Sequence, residues 1–162
     1  MSAYPVYVSY CTASHPHHFM LLKTWLKSES SKYQISGSGD IPHKVISSEQ
    51  QPLTDWLFGN LSATKLCVIL VGKGKCSQVL EKEKSVARHL NVPCMVVDTD
   101  IWNQGKEDSK FYGLSEQLAL HIPFRHRVIM HALKYWPAEY IQYKLQGMNK
   151  PHFYSPLITN FI

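Results

Sequence analysis

The first hundred residues alternate short apolar runs with stretches whose apolar positions recur every three or four residues. Runs rich in β-branched and aromatic residues predict strands, and the longer spacing predicts helices. Turn-forming residues separate the two kinds of segment, and 41–50 has the composition of a loop. The predicted strands and helices are, in chain order, Tyr4–Tyr10, 17–28, Lys32–Ser36, Pro52–Ser62, Leu66–Val71, Ser77–Leu90 and Val92–Val97.

The run Leu66–Val71 is apolar at every position, which is typical of a central parallel strand covered on both faces. Together with the alternation β-α-β-α-β-α-β, this run predicts βαβ units with right-handed crossovers. We therefore expect an α/β fold: a three-layer sandwich with a central parallel sheet, of the flavodoxin-like type.

After about residue 100 the pattern predicts helices and no further strand. Residues 111–122 are weakly helical, and the apolar spacing from Phe124 to Trp136 favours a helix. Pro137 is suited to the first turn of another helix. The apolar side of that last helix is predicted to carry Ile141, Leu145 and Met148.

Length and charge limit the classes of function. A chain of 162 residues corresponds to about one domain, with a core of about 4–100 and a helical C-terminal extension of about 101–162. The net charge of +5 comes from 17 Lys and Arg against 12 Asp and Glu, and it suits an anionic ligand such as a nucleotide. The basic residues are too scattered for a duplex-binding stripe, so we expect no nucleic-acid partner.

The sequence also predicts a cytoplasmic protein without metal or disulfides. No apolar run approaches the roughly 18–20 residues of a membrane span, and no signal peptide is recognisable, so we expect no membrane association. The four cysteines show no C-x-x-C spacing. His15, His17 and His18 lie close together but lack a matching distant pair of ligands, so we predict no metal site.

Ligands of open parallel sheets bind outside the carboxyl ends of the strands. Side chains that follow the predicted strands are therefore the candidates for a site. They are Ser9, Tyr10 and Cys11 after the first strand, Asp40 and His43 after the second, and Glu83 in the helix after the third.

Glu83 is the most informative of these residues. It lies on the apolar stripe of its helix, one turn from Val79 and from Ala87. A carboxylate on a sheet-facing stripe is desolvated unless it opens into a cleft. Two interpretations remain open: a cleft carboxylate, or an acid at the edge of an amphipathic helix, paired with a basic neighbour such as Lys84 or Arg88.

The order of these segments resembles the TIR domain superfamily, in particular bacterial TIR-like proteins related to the TIR subunit of the Thoeris antiphage system. Val6–Tyr10 looks like the family's first strand, hydrophobic-x-hydrophobic-Ser-Tyr/Phe, and Cys67–Gly72 looks like its third strand. Glu83–Pro93 resembles the family's Glu-x-x-x-Ala-x-x-Leu-x-x-Pro helix. The resemblance covers about residues 4–98 and implies a TIR-like fold.

The resemblance also implies an activity. TIR enzymes of this kind cleave the bond between nicotinamide and ribose in NAD, and some convert the ADP-ribose into a signalling nucleotide. Glu83 falls on the catalytic glutamate. The substrate-binding positions are implied to be Ser9, Tyr10, Cys11, Asp40, His43 and Val79, the last standing where many TIR enzymes carry an aromatic residue.

NAD is then a substrate and no cofactor is expected. The resemblance further implies self-association through TIR surfaces and an effector protein that responds to the product. Two alternatives are a noncatalytic interaction module that binds through the 41–50 loop, which Val79 favours, and an enzyme like nucleoside deoxyribosyltransferases, which also use a glutamate at the sugar carbon.

Overall fold

The computed structural model of the chain describes residues 3–12, 16–29, 31–46, 50–72, 78–99 and 117–154. A 3-10 turn, Ser38–Asp40, follows β2. The strands and helices are β1 Tyr4–Ser9, α1 Pro16–Glu29, β2 Tyr33–Gly37, α2 His43–Ile46, α3 Gln50–Leu61, β3 Leu66–Val71, α4 Gln78–His89, β4 Cys94–Asp98, β5 Leu120–Pro123, α5 His126–Leu145 and β6 His152–Phe153.

The strands form one parallel sheet in the order β2-β1-β3-β4-β5-β6. Strand β1 pairs with β2 on one side and with β3 on the other, so the chain first adds strands in one direction and then in the other. The order 2-1-3-4-5 is that of flavodoxin-like doubly wound sheets, whose ligands bind at the β1/β3 switch point. The predicted three-layer α/β fold is confirmed.

Two cores form because helices cover both faces of the sheet. All six residues of β3 are buried, and they alternate between the two cores as the pleat requires. Val6 and Val8 of β1 face the core that includes α1 and α5, whereas Tyr7 faces the core that includes α3 and α4. Tyr7 and Ser9 are two residues apart, so both point toward the α3 and α4 side.

The sheet has a fifth and a sixth strand, which the helical C-terminal extension expected from the sequence did not include. Leu120–Pro123 pairs with β4, and the two-residue β6 pairs with β5 in turn. The weakly helical assignment of 111–122 therefore fails at residues 120–122, while 100–116 lies outside the described residues. All four residues of β5 are buried. A run so short, with His121 and Pro123 in it, carries no clear strand period, and burial in the sheet decides its conformation.

Pro137 does not begin a separate helix. It lies inside α5, which continues from His126 to Leu145. Proline removes one backbone hydrogen bond from a helix, but packing of an apolar face stabilises helices more than any single bond does. That face carries buried Trp136 and Tyr140. The predicted apolar side is exposed instead, at Ile141 (58%), Leu145 (84%) and Met148 (37%).

The segment 41–50 is also more regular than its composition predicts. It contains the one-turn helix α2, and α3 begins at Gln50, two residues before Pro52. Proline fits there because the first-turn N–H groups of a helix have no partner within the helix. None of the described helices combines the length and apolarity that a bilayer-spanning segment requires.

Alanine substitutions at two glycines test the close contact of β2 with β1. A Cβ on Gly37 would lie 2.5 Å from the carbonyl oxygen of Val8, whereas a Cβ on Gly59 in α3 meets nothing within 4 Å. We expect Gly37→Ala to lower the free energy of unfolding by about 1–3 kcal/mol, since backbone must shift. The control Gly59→Ala is expected to raise it by about 0.5–1 kcal/mol. Urea unfolding checks both, and equal effects would contradict the close contact.

Candidate active site

Glu83 is fully buried, with none of its surface exposed. It lies in the middle of α4, whose residues Leu80, Val86 and Ala87 are buried on the same side. The apolar stripe of α4 therefore faces the sheet as the sequence predicts, and Glu83 lies on that stripe. The carboxylate therefore lies neither at the edge of the amphipathic helix nor in a cleft open to solvent.

Three hydroxyl groups donate hydrogen bonds to the Glu83 carboxylate. The phenol of Tyr7 and the hydroxyl of Ser38 each lie 2.6 Å from Oε1. The hydroxyl of Ser9 donates to Oε2. Two donors thus come from β1 and one from the turn after β2, so the carboxylate joins three elements that are distant in sequence.

The turn that carries Ser38 is held by its own hydrogen bonds. The backbone N–H of Tyr10 donates to Ser38 Oγ at 2.9 Å, and the N–H of Gly37 donates to the Asp40 carboxylate at 2.8 Å. A Cβ on Gly39 would lie 2.5 Å from the Tyr10 hydroxyl oxygen. Glycine at position 39 therefore lets the turn lie directly against Tyr10.

Burial and hydrogen bonding act on the Glu83 carboxylate in opposite directions. Burial raises its pKa, because the charged form loses its hydration, and the bonds from Ser38, Ser9 and Tyr7 lower it in part. Burial and the neighbouring carboxylate raise the pKa of Tyr7 far above its ordinary range, so its phenol stays protonated and donates.

No cation neutralises Glu83 among the described residues. Lys84 is buried, and its ammonium group lies 2.6 Å from Oε1 of Glu81, a largely exposed acid on the same helix. The anticipated pairing of Glu83 with a basic neighbour is therefore wrong. Its described partners are hydroxyl donors alone.

The structure brings Ser9 and the backbone of Tyr10 to the carboxylate. Ser9 donates to it directly, whereas Tyr10 supports Ser38 through its N–H. The ring of Tyr10 packs in the other core and stacks on Phe19, with centroids 4.4 Å apart. Cys11 follows β1 and is half-buried.

The other three candidates make no hydrogen bond to the carboxylate. Asp40 is exposed and caps the N–H of Gly37. His43 is exposed at the first position of α2. Val79, one turn before Glu83, is half-buried and packs against the core formed with α3. Their substrate-binding roles remain predictions.

Tyr7 and Ser38 are the two partners that sequence reasoning missed. The period of two in β1 could have found Tyr7, since it shares a face with Ser9. Ser38 lies between two glycines directly after β2, at the same carboxyl-end edge as the other candidates. Neither signal shows which face of the sheet α4 covers. The three hydroxyls reach one carboxylate because α4 packs on the face to which Tyr7 and Ser9 point.

The fold and the site together define a flavodoxin-like α/β protein with a buried, hydroxyl-bound carboxylate beside the β1/β3 switch point. No protein-family model and no curated protein sequence matches the chain.

Two of the solved structures that are similar to it illustrate the likeness. A conserved protein from Enterococcus faecalis V583 has 13% identity and a TM-score of 0.53, covering 95% of this chain and 92% of that one. A pilus assembly-related protein from Burkholderia pseudomallei K96243 has 15% identity and a TM-score of 0.48, covering 84% of this chain and 90% of that one. At these identities the likeness to the first protein bears on the fold alone.

Removing one hydroxyl tests the importance of the network. We expect Tyr7→Phe to lower the free energy of unfolding by about 1.5–3 kcal/mol, because a buried carboxylate loses a donor. The matched control Tyr4→Phe removes a hydroxyl at the other end of β1 and is expected to change stability by no more than about 0.5 kcal/mol. Denaturant unfolding of both variants makes the comparison, and equal losses would argue against the network.

The raised pKa of Glu83 predicts a pH dependence of stability. The folded state holds the proton more tightly than the unfolded chain, whose carboxyl titrates near 4.5. The free energy of unfolding of the wild type, minus that of Glu83→Gln, should therefore be largest below pH 4.5. This difference should fall as the pH rises through the raised pKa of Glu83. Unfolding at a series of pH values measures it, and a difference that grows with pH would contradict this assignment.

Proposed function

We propose that the protein is a TIR-like enzyme that cleaves NAD, releases nicotinamide and forms an ADP-ribose-derived signalling nucleotide in bacterial antiphage defence. The proposal combines the TIR-like motif order with one observation, the hydroxyl-bound carboxylate of Glu83 at the carboxyl-end edge of the sheet. We further propose a cytoplasmic location, self-association through TIR surfaces, and an effector protein that responds to the product.

The partners of Glu83 suit a carboxylate that binds a sugar. Ser9 and Ser38 present hydroxyl groups to Oε2 and Oε1, and the 2′- and 3′-hydroxyls of a ribose are donors of the same kind. A ribose could replace the serine hydroxyls without leaving the carboxylate short of donors. Tyr7 would keep its bond to Oε1 and hold the carboxylate in orientation.

The chemistry follows from the charge of the carboxylate. As the bond between ribose C1′ and the nicotinamide nitrogen breaks, the electron pair leaves with nicotinamide and positive charge develops on the ribose. An ionised Glu83 stabilises that charge strongly, because it is withdrawn from bulk water and hydrogen bonds hold it in a fixed orientation. Water then gives ADP-ribose with release of a proton, and a nucleophile within the same molecule gives a cyclic product.

Substrate access requires a change at Ser38. Its hydroxyl donates a hydrogen bond to Oε1 of Glu83, and the carboxylate is closed to solvent. The turn Ser38–Asp40 covers Oε1 through Ser38, whereas Asp40 and, in the following α2, His43 are exposed. We propose that a ribose displaces this turn, with Tyr10, Cys11 and Val79 bordering the opened pocket.

The same closure favours a second candidate, a noncatalytic TIR-like interaction module. In that case Glu83 serves to join β1, the Ser38 turn and α4, and the complete set of hydroxyl donors is its structural role. Val79 in place of an aromatic residue supports this candidate. The exposed turn and α2 would then contact another TIR domain.

Incubation of NAD with concentrated wild type, Glu83→Gln and Glu81→Gln tests the proposal. Glu81→Gln is the matched control, since Glu81 is a largely exposed acid on the same helix. We expect wild type and control to release nicotinamide, and Glu83→Gln to be slower by about 100-fold or more. Mass analysis of the nicotinamide and ADP-ribose species names the product.

Each other result points elsewhere. Nicotinamide release by Glu83→Gln at the wild-type rate would remove Glu83 from the mechanism. A folded, self-associated wild type that leaves NAD intact would favour the interaction module. Release of free base from deoxynucleosides, with NAD unchanged, would identify an enzyme like nucleoside deoxyribosyltransferases.

A further inference from the structure

A polar cavity lies at the edge of the sheet opposite to Glu83. Its volume is about 150 Å³, and its lining residues are Arg88, Gln117, Leu118, Tyr140, Lys144 and Asn149. Arg88 and Lys144 belong to the last turns of α4 and α5, and Gln117 and Asn149 precede β5 and β6. All four positions lie at the amino ends of strands, whereas Ser9 and Ser38 follow the carboxyl ends of theirs.

The lining of the cavity consists mainly of cations and hydrogen-bond donors. Arg88 and Lys144 supply two positive charges, and the amides of Gln117 and Asn149 supply N–H donors. Burial raises the pKa of Tyr140 to about 12, so its phenol is protonated and is a further donor. Within the part of the chain that the structure describes, no carboxylate lines the cavity. The cavity is therefore suited to an anion.

We propose that this cavity binds the phosphate group of a small ligand, inorganic phosphate or a phosphate monoester. The guanidinium of Arg88 presents a planar fork of donors that matches two phosphate oxygens, and Lys144 adds a point charge. Two cations balance a phosphate dianion, whereas a carboxylate would leave one charge unmatched. The volume is below the roughly 300–1,000 Å³ of pockets that enclose whole ligands, so the rest of an ester lies outside.

The presence of Arg88 and Lys144 at this edge also has an explanation that involves no ligand. Helix C-termini carry partial negative charge, and Lys or Arg in a last turn stabilises them without any ligand. This explanation predicts that losing either cation lowers stability equally with and without phosphate. A binding site predicts that the loss of stability is larger when phosphate is present, because bound ligand stabilises the folded state.

The test compares wild type with Arg88→Gln, Lys144→Gln and the control Lys134→Gln, which removes a charge from an exposed position of α5. Sodium phosphate and glycerol phosphate are titrated by calorimetry against sodium chloride of equal ionic strength. We expect saturable binding to wild type and Lys134→Gln, and affinity about tenfold or more weaker in the other two variants. Thermal unfolding with and without phosphate checks that all four proteins fold.

The two phosphate probes separate the sources of the group. Tighter binding of glycerol phosphate assigns the cavity to an ester, and binding of inorganic phosphate alone assigns it to the free ion. No saturable binding of either probe to the folded wild type would overturn the proposal. Equal affinity in Arg88→Gln, Lys144→Gln and Lys134→Gln would also overturn it.

Discussion

The hydrogen bonds to the Glu83 carboxylate constrain the arrangement of the carboxyl-end edge. Burying a carboxylate costs several kcal/mol unless its oxygens are hydrogen-bonded, and here three hydroxyls supply the bonds. They come from β1 and from the turn after β2, so both must keep their register with α4. A helix that carried only apolar residues on this stripe could slide or rotate at lower cost. The bonds to the carboxylate therefore fix the position of α4 relative to β1 and the Ser38 turn, whichever function the site has.

Patterning predicts the first four strands and three helices because the helices carry a regular apolar stripe and turn-forming residues separate them from the short strands. Leu66–Val71 is predicted to the residue, since burial on both faces leaves an unbroken apolar run. The prediction fails where tertiary contacts override local signals. β5 is only four residues long, and one of its buried positions is occupied by a polar residue type, His121. Burial lowers the pKa of His121 to about 4. Pro137 reads as a helix start, yet the apolar face of α5 is continuous through it.

The candidate site was predictable to the level of one residue and its edge of the sheet. The helical stripe identifies Glu83 as facing the sheet, and the strand ends identify Ser9. Tyr7 and Ser38 are recognisable only when α4 is placed over β1 and the Ser38 turn, because the sequence gives no distance between those segments. The same limit explains why the sequence leaves both a helix edge and a cleft open for Glu83, whereas the structure encloses the carboxylate with three hydroxyl donors.

The two sites lie on different sides of α4. Glu83 is buried against the sheet, whereas Arg88, five residues and about 7.5 Å of axial rise further along the helix, is exposed. A nucleotide whose ribose contacts Glu83 from the carboxyl-end edge would have to pass the buried residues Val86 and Ala87 to reach Arg88. Phosphate in the amino-end cavity would therefore belong to a second molecule. Any effect of that molecule on Glu83 would pass through α4, which carries Glu83 in its middle and Arg88 in its last turn, so a shift of this helix would move the carboxylate against its three hydroxyl donors.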